Sequence, residues 1–202
     1  MAAKMGPAIW RLGSLGLLLS IVLGSGLLAI PAEGAQECFG KTATINDNSG
    51  QITGTNGNDV IIGDNGANDI DGKGGTDRIC SRDGNDVIEA NGKLFADGGE
   101  GDDEINGTDS ADDLRGGVGE DTLYGNGAKD VLKGGDDDDT LYGGVGNDTL
   151  KGSDGNDDLF GEEGTDKLFG GDGNDTINGG PDPDFCSDDG QPLHACDLAP
   201  AP

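Results

Sequence analysis

From residue 54 onward the chain places one Ile or Leu in every nine residues, on a background of Gly, Asp and Asn. Written in nines, the first block reads GTNGNDVII, GDNGANDID, GKGGTDRIC and SRDGNDVIE, residues 54–89. A second block runs GGEGDDEIN, GTDSADDLR, GGVGEDTLY, GNGAKDVLK, GGDDDDTLY, GGVGNDTLK, GSDGNDDLF, GEEGTDKLF and GGDGNDTIN, residues 98–178, with no insertion or deletion. In all thirteen units the eighth position is Ile or Leu. A lone aliphatic residue between two outward neighbours is the period of a very short strand. The glycine-rich first half is a tight turn, since glycine supplies the positive φ that such turns need. Two turns close a coil of eighteen residues, and coils stacked about 4.8 Å apart build a rod about 30–35 Å long. A fixed-phase aliphatic position excludes a disordered acidic linker, whose signature is compositional.

The sixth position carries the chemistry. It is aspartate in twelve of the thirteen units: Asp59, Asp77, Asp86, Asp103, Asp112, Asp121, Asp130, Asp139, Asp148, Asp157, Asp166 and Asp175, with Asn68 in the remaining one. One aliphatic side chain per unit buries too little surface to offset the ordering of nine backbones. A hard cation such as calcium suits the deficit, because it takes six to eight oxygen ligands and these turns expose carbonyls beside a carboxylate.

The consensus G-G-x-G-x-D-x-U-x resembles the repeats-in-toxin (RTX, haemolysin-type) calcium-binding nonapeptide over about residues 54–185. The resemblance implies an all-β fold, a right-handed parallel β-roll, or β-solenoid, with two turns per 18-residue coil. It further implies several calcium ions, each between turns stacked eighteen residues apart and held by an Asp from each together with turn carbonyls. Asp103, Asp121, Asp139, Asp157 and Asp175 then line one edge, and Asp112, Asp130, Asp148 and Asp166 the other. Sites touching Asn68 or the motif-less segment ANGKLFAD, residues 90–97, are expected to be the weakest. Ser110, Ala128 and Asp137 replace the fourth-position glycine; Asp137 is expected to strain its turn or to add a ligand.

Charge sharpens the choice of partner. Forty acidic against twelve basic residues give a net charge of -28, which repels nucleic acid and anionic membrane surfaces. Calcium ions are the natural partners. Residues 1–35 stand apart: Lys4 and Arg11 precede the apolar run LGSLGLLLSIVLGSGLLAI, followed by PAEGA. This is the layout of a signal peptide, so the chain is expected to be secreted and extracellular, with no membrane attachment after cleavage. Four cysteines in an exported chain point to disulfides and allow three pairings. Loop closure favours Cys186 with Cys196 and, by elimination, Cys38 with Cys80.

Outward positions carry a further signal. Tyr124, Tyr142 and Phe160 recur at eighteen-residue intervals, as do Arg115, Lys133, Lys151 and Phe169. Stacked ladders that stabilise the strands are the first expectation; an exposed aromatic stripe holding an extracellular glycan or protein is the alternative. No H-E-x-x-H or G-x-S-x-G sequence is present, and His194, the single histidine, shares a short tail with Ser187 and Asp188. The chain is therefore expected to be a calcium-binding protein rather than an enzyme. Its organisation reads as a signal peptide (1–35), a front cap (36–53) that holds the strand candidate KTATI, repeats (54–89), an irregular coil (90–97), repeats (98–178) and a rear cap (179–202).

Overall fold

The computed structural model describes residues 37–46, 50–188, 191–192 and 196. Residues 1–35, where a signal peptide is expected, and His194 lie outside the described residues.

Two parallel sheets face each other across a narrow core. One has eight strands, Gln51–Thr53, Asp69–Asp71, Val87–Glu89, Glu104–Asn106, Thr122–Tyr124, Thr140–Val145, Asp158–Glu163 and Thr176–Asn178, each paired with the strand one coil on. The other has ten, beginning at Ile45–Asn46 and Val60–Ile62 and reaching Lys167–Asp172, Phe185–Asp188 and the antiparallel Gln191–Pro192. Register is strict: Leu123 pairs with Leu141 and Leu141 with Leu159 on one sheet, Leu132 with Leu150 and Leu150 with Leu168 on the other. The eighth-position residues thus meet in the middle, and those from Ile61 to Leu168 are fully buried. Chain alternation sends the seventh and ninth positions outward. These features define the parallel β-roll that the repeat implied.

Three parts depart from the bare repeat. The stretch KTATI is divided: Lys41–Thr42 forms a small antiparallel hairpin with Glu37–Cys38, and Ile45–Asn46 enters the ten-stranded sheet. Residues 90–97 are not a break, because Lys93–Glu100 is a regular strand. There Leu94 aligns with Asp77 and Ala96 with Ile79, so a buried leucine stands where the repeat has its aspartate. At the rear the repeat runs one unit further, as GGPDPDFCS: Cys186 aligns with Leu168 in the inward slot and is buried.

Both disulfides follow the loop-closure expectation. Cys186 joins Cys196, and Cys38 joins Cys80. The second bond fixes the front hairpin against the outer face of the ten-stranded sheet, where Cys38, Val60 and Ile62 form a small cluster with Phe39, Ala43 and Cys80.

Candidate metal centre

Each turn is set by its second residue. That position has positive φ in ten of the thirteen units: Lys73, Arg82, Gly99, Gly117, Asn126, Gly135, Gly144, Ser153, Glu162 and Gly171. Five of these are glycine, for which the region carries no steric cost. At Gly135 the close approach is also decisive, since an added Cβ would collide with the carbonyl oxygen of Gly117 one coil back.

The sixth-position aspartates point into the rod's edges, and all but the half-buried Asp175 are buried. One oxygen of each serves the fold. Asp121 N–H donates to Oδ1 of Asp139 at 2.9 Å, Asp139 N–H to Asp157 at 2.9 Å, and Asp157 N–H to Asp175 at 2.9 Å. On the opposite edge Asp112, Asp130 and Asp148 donate in the same way to Asp130, Asp148 and Asp166, at 2.7, 2.8 and 2.8 Å.

The other oxygen is left over. Oδ2 of Asp77, Asp86, Asp103, Asp121, Asp130, Asp139, Asp148, Asp157, Asp166 and Asp175 is buried with no hydrogen-bond donor. Nine of the ten face the glycine that opens their own unit, Asp86 being the exception because Ser81 opens its unit; a Cβ placed on Gly98, Gly116, Gly134 or Gly152 would collide with the oxygen. The carbonyl of Gly116, one coil on, lies 2.8 Å from the same point above Gly98. A buried carboxylate oxygen and a backbone carbonyl facing one glycine-sized space form an oxygen-only cradle for a hard cation. Among the described residues no three carboxylate, histidine or cysteine side chains converge, so an ion here would depend on main-chain carbonyls. That donor set fits calcium and does not suit zinc or copper, which prefer nitrogen and sulfur.

Electrostatics agrees with an uncompensated site. Burial pushes the carboxyls of Asp103, Asp121 and Asp130 up to about 7, and that of Asp139 up to about 8. Asp166 and Asp175 rise to about 6 by the same cause. Neighbouring carboxylates add to the rise at Asp139, while the N–H bond from Asp121 opposes it.

Three of the expected ligands are arranged differently. Oδ2 of Asp59 accepts from the N–H of Thr55 (2.7 Å) and its hydroxyl (2.9 Å). Oδ2 of Asp112 accepts from the N–H of Thr108 (2.7 Å) and its hydroxyl (3.1 Å). Asn68 Oδ1 accepts from Asp64 N–H at 3.0 Å, and its Nδ2 donates to Asp64 Oδ1 at 3.1 Å. These are the three units whose second residue lacks positive φ. Asp137, in contrast, is exposed with φ 79°, so its side chain lies away from the buried cradles.

The fifth position holds a ladder that the sequence reading did not separate. Asn58 Oδ1 accepts from Thr76 N–H at 2.8 Å, Asp138 Oδ1 from Asn156 N–H at 2.7 Å, and Asn147 Oδ1 from Thr165 N–H at 2.9 Å. The recurrence of Asn or Asp just before the sixth position was its available signal.

On the outer faces Tyr124 and Tyr142 stack at 5.1 Å with planes 4° apart, and Tyr142 and Phe160 at 5.0 Å and 12°. Their faces are turned to one another along the rod. Arg115, Lys133 and Lys151 align on the opposite sheet.

Stacked glycine turns with buried, unpartnered carboxylate oxygens along both edges define a calcium-binding β-solenoid. The RTX calcium-binding nonapeptide repeat, taken as four copies, matches residues 46–79, 53–88, 95–123, 116–150, 124–159 and 151–186, and the chain belongs to that family. Repeats of this family bind calcium in multiple sites, so calcium is the cofactor of this rod. No curated protein matches the chain.

Proposed function

We propose that the protein is a secreted calcium-ion-binding rod that folds as it meets extracellular calcium. The observation that carries this reading is the row of buried aspartate oxygens without donors. Asp103, Asp121, Asp139, Asp157 and Asp175 would hold ions on one edge, and Asp77, Asp130, Asp148 and Asp166 on the other, with first-position carbonyls completing the shells; Ser81 occupies the corresponding space beside Asp86. Bound calcium would supply the positive charge that stacked carboxylates lack. Without it, like charges and desolvation oppose the fold, and a chain of net charge -28 stays extended. Low intracellular calcium then suits export under residues 1–35, and an affinity of about 0.1–1 mM would suit an extracellular module.

Circular dichroism of the mature chain, titrated with calcium and with magnesium as the control, tests this reading. β-structure should appear with calcium only. A spectrum already rich in β-structure in chelator and indifferent to calcium would overturn it.

A second reading is a calcium-dependent adhesin or matrix component that binds a glycan or protein along Tyr124, Tyr142 and Phe160. It draws on the half-buried aromatic strip and the shallow hollow lined by Tyr142, Phe160, Glu162, Asn178 and Pro181. It ranks second because the rings spend their faces on each other. Calcium-dependent retention on a glycan panel, lost in Tyr142→Ser, would move it ahead.

A further inference from the structure

Whether a turn is open to an ion follows from one dihedral angle. In the ten units with positive φ at the second residue, the sixth-position Oδ2 has no donor; in the three units with Thr55, Asp64 and Thr108 there, the N–H of that residue turns onto the sixth side chain. The correspondence has no exception among these thirteen turns. Threonine explains two cases, since a β-branched residue in the left-handed region is a genuine outlier. With that region closed to it, threonine keeps its N–H and hydroxyl on the aspartate. At Asp64 the carboxylate accepts from Gly66 N–H at 2.9 Å and from Asn68, which fixes the same turn.

The closed turns are not scattered. Thr55 and Asp64 bound the first full coil on both edges, where Ile52, Ile61 and Ile70 are buried. The same end carries the Cys38–Cys80 bond and the outer cluster of Cys38, Val60 and Ile62. The rear end differs: Asp166 and Asp175 are both open there. Thr108 closes the turn facing the irregular half-coil, where Leu94 replaces the aspartate and donates its N–H to Asp112 Oδ1 at 2.7 Å.

We propose that Thr55, Asp64 and Thr108 are built-in substitutes for calcium, and that they leave a calcium-independent front end on which the calcium-dependent coils stack. The inference rests on calcium binding at the open turns. One edge then carries ions without interruption from Asp103 to Asp175, the units that open with glycine. The other is broken between Asp77 and Asp130 by a joint made of Leu94, Thr108 and Asp112, which holds by hydrogen bonds and leucine burial alone. As calcium rises, order spreads from the front toward the rear.

Two measurements on the mature, disulfide-intact chain decide the matter. Calcium stoichiometry, by native mass spectrometry and calorimetry, is compared for the wild type, Asp112→Asn and Asp130→Asn. Asp112→Asn should bind as many ions as the wild type, because both oxygens of Asp112 already accept from main-chain N–H groups and neither is left for an ion; Asp130→Asn should bind fewer. An equal loss in both variants overturns the inference, whereas a wild type that binds no calcium overturns the functional reading instead. In the second measurement, hydrogen exchange in chelator should be slower by about tenfold or more in peptides covering 51–71 than in those covering 122–178. Uniform exchange, or protection confined to the rear, would overturn the calcium-independent front end.

Discussion

The main-chain N–H of Asp121 donates to Oδ1 of Asp139 at 2.9 Å, while Oδ2 of the same aspartate has no donor. One carboxylate thus joins two coils and still presents an oxygen to the cradle beside Gly134. Asp139→Asn keeps an acceptor for Asp121 and removes the charge. It should lower stability in saturating calcium by about 1–3 kcal/mol, the range for impairing a buried charged partner. Asp138→Asn should change stability by less than about 0.5 kcal/mol, because Asn147 and Asn156 already fill that position with the same bond. Thermal melts of both variants in calcium check the contrast.

Acid should favour the calcium-free rod. The carboxyls of Asp139, Asp121 and Asp103 lie near 8, 7 and 7 in the fold against an ordinary 3.8. The folded state therefore holds more protons than the unfolded one between these limits. The stability they contribute is complete below about 4 and is lost as pH rises through about 6–8. Calcium competes with those protons, so its affinity should fall as pH drops from 8 to 6. Denaturant melts in chelator and calcium titrations across that window read both slopes; a calcium-free rod that gains stability toward pH 8 would contradict the burial argument.

Gly134→Ala should abolish the cation site beside it. The added methyl would collide with Oδ2 of Asp139, in the space which that oxygen faces. Calcium stoichiometry should drop, with stability falling by about 1–3 kcal/mol from the forced contact. An alanine variant that binds as the wild type does would show that the ion sits elsewhere.

Tyr142 is the middle ring of its column and stacks on both neighbours. At about 0.5–1.5 kcal/mol for each aromatic pair, Tyr142→Ala should cost about twice the stacking energy lost in Tyr124→Ala. Comparing the two variants by denaturant melt in calcium separates a stabilising ladder from a binding stripe, which would predict a change in ligand retention with little change in stability.

Much of the rod was legible because its signals are positional. The Ile or Leu at the eighth position of each nine-residue unit reported the inward face, and register then followed from the eighteen-residue coil. What escaped the reading depended on neighbours in space. Leu94 looked like a lost motif, yet stacking between Asp77 and Asp112 places it in the aspartate's own slot. Cys186 looked like part of a cap, although it fills the inward position above Leu168. The difference between Thr108 and Gly117 at one repeat position has its effect through a peptide orientation, which no composition count contains. Both pairings of cysteines could be read, since loop closure needs only chain separation.

The register of Leu123, Leu141 and Leu159 bears on how such a chain can change length. Each coil meets only the coils before and after it, in the same alignment. Losing eighteen residues would bring equivalent positions together again and leave both columns in phase. Losing nine would exchange the two edges downstream, setting Lys151 beneath Tyr124 and merging the basic column with the aromatic one. Growth and shrinkage by whole coils are therefore silent, whereas a single repeat unit is a frameshift in space.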